Sequence, residues 1–152
     1  FRRFILRVTL QRVKSASVTV DQEQLGEIQA GLLLFVGISP TDTKQQLAKM
    51  AHKIVNLRIF EDEDEKMNQN VQQVNGGILS ISQFTLYADT HKGNRPSFQS
   101  AAKPEIAKPL YLAFNHYLEA ELGQTVQVGE FGANMQITAI NDGPVTINLE
   151  VD

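Results

Sequence analysis

Cysteine is missing from the 152-residue chain. Its absence removes disulfides, thiolate nucleophiles and cysteine-based zinc sites together, and it fits an enzyme of the cytoplasm. Missing too is any apolar run approaching the roughly 20 residues that cross a bilayer. The longest, GLLLFVGI, reads as one buried strand, and no membrane partner is expected. There is no basic excess, and the net charge of −3 argues against a protein that coats nucleic acid generally. Positive residues do gather in RRFILRVTLQRVK and in HKGNR. Each stretch is open to two readings, solvated surface or a rim that grips a few phosphates. Repeats, low-complexity tracts and linker-like composition are absent, so one domain is expected, of a size able to bury its own core. No secretory signal is visible. The opening FRRFIL lacks an initiator Met, and residues 1–5 read as an extension or artificial remnant ahead of a domain at 6–152.

Several chemical signatures are lacking as well. The acidic run EDEDEK at 61–66 lacks the central glycine that a calcium loop needs for its sharp turn, and reads as a solvated turn. The three histidines, His52, His91 and His116, show no metal-ligand spacing, so neither a metal nor a cofactor is expected. Neither a G-x-S-x-G elbow nor a phosphate-binding P-loop occurs. The common hydrolase and nucleotide motifs are therefore excluded.

What is present is a pattern of short elements. Residues 4–20 are rich in Val, Thr, Ile and Leu, and VDQE turns them into LGEI, which predicts a β-hairpin. The apolar phase changes between Leu10 and Val13, which predicts a bend or bulge in the first strand. A buried strand at 32–38 follows. Residues 39–57 give the clearest helix, with Leu47, Met50, Ala51, Ile54 and Leu57 at helical spacing and a capping box from Thr43 and Gln46. RIFED resumes extended structure, and 77–87 reads as a strand. A second helix is predicted at 104–123, with Ile106, Leu110, Ala113, Phe114, Tyr117 and Leu118 on one side, Pro109 in its opening turns and Gly123 at its C-cap. TVQV, MQITAI and VTINLEV read as strands, the last two joined by a turn at NDGP. The sum is a mixed α/β domain with a largely antiparallel sheet and two helices, without the alternation of a doubly wound fold.

Two stretches resist assignment by spacing alone. In a regular strand Ser82 and Phe84 face one way and Gln83 and Thr85 the other. For all four to serve one site, the strand must end or kink there; otherwise they are half-buried packing. NDGPVT at 141–146 is equally good turn chemistry.

Together the pieces resemble one family, the D-aminoacyl-tRNA deacylases. The resemblance is carried by LQRVKSASVTV, GLLLFVGIS, KIVNLRIFEDE, SQFTLYAD followed by KGNRPSF, then FGANMQ and NDGPVT, in order from about Leu6 to the last strand. It implies that family's fold of barrel-like β layers with two helices. It implies a hydrolase that cleaves the ester joining a D-amino acid, or glycine, to the 3′-terminal adenosine of tRNA, spares L-aminoacyl-tRNA, and so proofreads chirality in translation. It implies a homodimer in which Ser82, Gln83, Phe84 and Thr85 of one subunit meet a cis Gly143–Pro144 unit of the other. Recognition of the terminal adenosine maps to Phe131, Gly132 and Met135. Lys92 and Arg95 become contacts to the tRNA backbone.

The chemistry is consistent with these residues. An aminoacyl ester is activated by its own α-ammonium group and neighbouring ribose hydroxyl. Backbone amides at a kinked Gln83–Phe84–Thr85 aimed at the oxyanion would each contribute roughly 2.7–4 kcal/mol. A Thr85 nucleophile needs an activating base, and no His or Lys stands beside it in a motif. Direct water attack aided by the tRNA 2′-hydroxyl is the favoured mechanism. Two other readings remain: a non-catalytic tRNA-end binding module of the same fold, and a hydrolase of free D-amino acid esters or peptides.

Overall fold

A computed structural model describes residues 5–152. The predicted extension falls on residues 1–4, which lie outside the described residues, and on Ile5, which is buried. The strand β1 (Leu6–Val20) turns through Asp21 and Gln22 into β2 (Glu23–Ile28). Both turn residues have positive φ, 48° and 69°, the backbone that a two-residue hairpin loop between twisted strands requires. Next come β3 (Gly31–Gly37), α1 (Lys44–Asn56), the short pair β4 (Phe60–Glu61) and β5 (Met67–Gln69), and β6 (Gly77–Ser82). A 3-10 turn (Phe84–Tyr87), α2 (Pro104–Leu122), β7 (Gln127–Val128) and β8 (Gln136–Val151) complete the chain.

The long β1 organises the sheet. Along one edge it pairs antiparallel with β8; along the other it pairs with β3 over its first half and β2 over its second. The strands β6 and β7 extend from β3 in parallel. A Cβ on Gly26 of β2 would meet the Val128 carbonyl of β7 at 2.9 Å, so the curled sheet nearly closes into a barrel. Leu32, Leu34, Val36 and Ile78 face the core shared with α1 and α2, while Leu33, Leu79 and Ile81 join Val13, Ala16 and Val18 in a second cluster. The strand β3 is thus apolar on both faces, as a fully buried strand must be.

The predicted α1 forms with its capping box intact: Thr43 Oγ1 accepts from the Gln46 amide, and the Gln46 side chain accepts from the Thr43 amide. A bulge is present in β1, but further along than expected: β1 pairs regularly with β3 through Val13, and its extra residue is Lys14, since Val13 pairs with Asn141 and Ser15 with Ile140.

Three further expectations are corrected. The strand predicted through Tyr87 ends at Ser82. In α2, Phe114 and Leu118 are fully buried, but Ile106 is 45% exposed and Ala107, Tyr111 and Leu122 occupy the core instead. The helix is seated by its large residues further along, and Ile106 rotates off that face. Finally, NDGP does not reverse the chain. MQITAI and VTINLEV belong to one strand, β8, and both halves run antiparallel to β1. Gln11 pairs with Thr146 and Val13 with Asn141, so two steps of β1 face five of β8. Residues 142–145 bulge from the ladder rather than turning back.

Candidate active site

The departure of β6 from the sheet builds the first wall. Val36 and Ser82 are its last registered pair with β3, and the Gln83 amide then donates to the Val36 carbonyl at 2.8 Å. Leu86 and Ala88 close the 3-10 turn by donating to Gln83 and Thr85 at 3.4 and 3.1 Å. The amides of Phe84 and Thr85 lie ahead of the turn's first internal bond and have no backbone acceptor among the described residues. Gln83 therefore cannot serve as an oxyanion donor through its amide, whereas its two successors can. The side-chain Nε2 of Gln83 donates to Thr85 Oγ1 at 2.9 Å.

Tyr87 ties this turn to the body of the protein. Its ring is 2% exposed, and its hydroxyl lies within hydrogen-bond reach of the Ile5 and Gly37 carbonyls. Arg7 sits over the ring, 5.0 Å from guanidinium to centroid, and donates to the Leu86 carbonyl at 3.0 Å. Burial, reinforced by the Asp42 charge, pushes the Tyr87 phenol far above its ordinary range. A Cβ on Gly37 would come within 2.8 Å of the Tyr87 ring, so the close approach depends on glycine there.

A cavity of about 540 Å³ opens beside the turn. Ser82, Gln83, Phe84 and Thr85 form one wall; Phe131, Gly132, Ala133 and Met135 form another; Val36 and Ile38 lie between them. Phe84 is 58% exposed and meets Phe98 edge-on with ring centroids 5.1 Å apart. Phe131 leans on Tyr111 of α2 at 5.9 Å. The Tyr111 hydroxyl donates to the Ser80 carbonyl at 2.7 Å, and burial raises the pKa of that phenol. Phe131, Gly132 and Met135, expected to meet the adenosine, and the SQFT residues, remote in sequence, thus share one concavity.

Gly143 and Pro144 are not among its lining residues. They occupy the β8 bulge, joined by a cis peptide, and both are exposed. Arg12 holds this bulge from inside the sheet. It is 4% exposed, donates to the carbonyls of Ile59 at 2.7 Å and Asp142 at 3.1 Å, and lies near the carboxylates of Asp142 at 3.5 Å and Glu61 at 3.9 Å. Sequence reasoning overlooked Arg12, although a signal existed: it continues the inward alternation of Leu6, Val8 and Leu10.

Lys92 and Arg95 lie on an exposed loop whose base is pinned by reciprocal bonds between Asp89 and Ser97 at 2.8 and 2.9 Å. The next residue, Phe98, lines the cavity, so the base of the loop adjoins it. Neither cation lines the cavity itself. Lys103 does, and nothing in its spacing marked it. No cluster of metal-ligating side chains occurs among the described residues, and none of their helices is long and apolar enough to cross a membrane.

Residues 9–150 match the protein family described as D-Tyr-tRNA(Tyr) deacylase. A D-aminoacyl-tRNA deacylase from an Exiguobacterium species is 54% identical over 145 residues, covering 95% of this chain and 98% of that one. A solved structure titled c-Myc DNA Unwinding Element Binding Protein is 42% identical, with a TM-score of 0.87 over 94% of this chain and 97% of its own. A probable eukaryotic D-amino acid tRNA deacylase shares the fold at 17% identity, with a TM-score of 0.84 over 96% of this chain and 99% of its own.

Proposed function

Because the chain belongs to the D-Tyr-tRNA(Tyr) deacylase family and is thus a hydrolase of the D-aminoacyl-tRNA ester, we propose that the cavity between the SQFT turn and Phe131 is where it acts. The ester carbonyl lies against the amides of Phe84 and Thr85, and the terminal adenosine lies against Phe131, Gly132 and Met135. The observation that carries this reading is the meeting of those two segments on one concavity. Its volume, about 540 Å³, falls within the roughly 300–1,000 Å³ usual for small-molecule sites.

Hydrolysis proceeds by direct attack of water on the ester. The two amides stabilise charge as it develops on the carbonyl oxygen, which accelerates the chemical step. Thr85 is not the nucleophile: its hydroxyl is paired with the Gln83 amide group, and an amide is not a base that activates it. The 2′-hydroxyl of the terminal ribose orients the water. Lys92 and Arg95, on the loop whose base adjoins the cavity, meet the tRNA backbone.

A second copy of the chain completes the site with its Gly143–Pro144 unit. Two features support this. The unit is exposed and lies off the cavity of its own chain, and the inward-facing Val145, Ile147 and Leu149 of β8 are only partly buried. Backbone carbonyls of that unit receive the α-ammonium group and wall off one side of Cα. An L side chain runs into the wall, a D side chain points outward, and glycine has nothing to exclude. The homodimer therefore clears D-aminoacyl-tRNA and mischarged glycyl-tRNA in the cytoplasm while sparing L-aminoacyl-tRNA.

The test is release of labelled amino acid from D-Tyr-tRNA, Gly-tRNA and L-Tyr-tRNA by the purified protein. Turnover of the first two with the third spared is expected. Efficient turnover of L-Tyr-tRNA overturns the wall, and binding without any turnover leaves a tRNA-end binding module.

A further inference from the structure

Lys103 is the one charged residue on the cavity wall among the described residues, and the rest of the lining is mainly apolar. Its side chain has no hydrogen-bond or ion-pair partner among those residues. Glu105, the acidic residue in the first turn of α2, forms no ion pair with it. An exposed cation held at an apolar site without a counter-ion is suited to an anion brought in by the ligand.

We propose that Lys103 binds the phosphate that joins the terminal adenosine to the rest of the RNA. This rests on the reading of the cavity given above and adds a direction to it. The bound end of the substrate carries one cation, the α-ammonium, and one nearby anion, the phosphate at the 5′ side of the terminal nucleoside. Like charges repel, so the aminoacyl end lies away from Lys103, towards Phe84 and Thr85, and the phosphate end lies at Lys103. From there the strand leaves past Phe98 to the loop carrying Lys92 and Arg95. Lys103 is thus a binding residue at the 5′ side of the nucleoside, distinct from those two loop cations.

The experiment compares kcat/KM on the 3′-O-D-tyrosyl ester of adenosine with that on the same ester bearing a 5′-monophosphate. The measured quantity is the gain that the phosphate confers. In the wild type the phosphate raises kcat/KM; in Lys103→Ala that gain falls about fivefold, the upper end for an exposed ion pair, and Lys103→Arg retains it. The loss falls on KM rather than kcat, because the phosphate is remote from the breaking bond and is held equally in the ground and transition states. With D-Tyr-tRNA, the salt dependence of log affinity becomes shallower by about 0.7 in Lys103→Ala, one phosphate contact fewer on a single strand. A purely structural effect would lower activity on both esters alike and leave the gain intact. An unchanged gain in Lys103→Ala, or no gain in the wild type, overturns the phosphate contact and leaves the deacylase site standing. Failure of the wild type to cleave either the D esters or D-Tyr-tRNA overturns both.

Discussion

Gln83 donates its amide to the Val36 carbonyl at 2.8 Å, one residue beyond the last registered pair between β3 and β6. That bond ends the ladder. It consumes the Gln83 amide and leaves the next two, of Phe84 and Thr85, without a backbone acceptor among the described residues. Under the proposed assignment, the boundary between structural and chemical backbone falls between residues 83 and 84.

Deleting one of those donors without altering a side chain tests the assignment. An amide-to-ester replacement at Phe84 or Thr85, made by semisynthesis, should lower kcat by roughly 10²–10³-fold, as loss of an oxyanion donor does elsewhere. The same replacement at Gln83 should instead lower stability by about 1 kcal/mol. Single-turnover kinetics and denaturant unfolding separate the two outcomes.

The Thr85 hydroxyl should matter less. Thr85→Ala is expected to stay within about tenfold of wild-type activity, since no base is placed to activate the hydroxyl. Loss of all activity, with an acyl adduct trapped on the wild type by rapid quench, would reverse that conclusion.

Tyr87 and Tyr111 should make the fold sensitive to alkali. Burial raises both phenols above their ordinary value of 10.0, so the folded chain keeps protons that the unfolded chain releases. Their contribution is fully present below pH 10 and is lost as pH rises from there towards the folded values. Each such group steepens the fall by about 1.4 kcal/mol per pH unit. Tyr87→Phe should remove one of the two increments from alkaline unfolding curves. At neutral pH it should cost about 1–3 kcal/mol, because the buried Gly37 and Ile5 carbonyls lose their donor.

Gly143→Ala should damage selectivity while leaving the cavity in place. Gly143 has φ 126°, and an added Cβ would meet Val145 atoms at 3.0 Å and Arg12 Nη2 at 3.3 Å. Moving to a permitted backbone would shift the bulge, at a cost of about 1–3 kcal/mol. The expected result is a smaller ratio of D-Tyr-tRNA to L-Tyr-tRNA hydrolysis, measured beside thermal unfolding. An unchanged ratio would detach this unit from chiral selection.

Local signals were sufficient wherever a local interaction decided the outcome. Thr43 and Gln46 cap α1 because the capping box closes within four residues. Gly123 ends α2 in the left-handed region for the same kind of reason. The changing phase between Leu10 and Val13 pointed to a bulge but misplaced it: those residues face opposite clusters of one regular stretch, and the extra residue of β1 is Lys14. Ile106 was misjudged because helical spacing defines a stripe but not which part of it meets a neighbour.

By itself, then, the sequence determined the two helices, their caps, the apolar strands and the motifs that mark the family, all consequences of spacing along one segment. Tertiary structure decided the rest. Only the pairing of both halves of β8 with β1 distinguishes a bulge at Asp142 from a chain reversal, because the same Asn-Asp-Gly-Pro chemistry serves either. Only the competition for the Val36 carbonyl shows which amides of the SQFT turn are spent. Only folding brings Ser82–Thr85, Phe131 and Lys103 to one cavity, since that proximity is a property of the packed chain and not of any window along it.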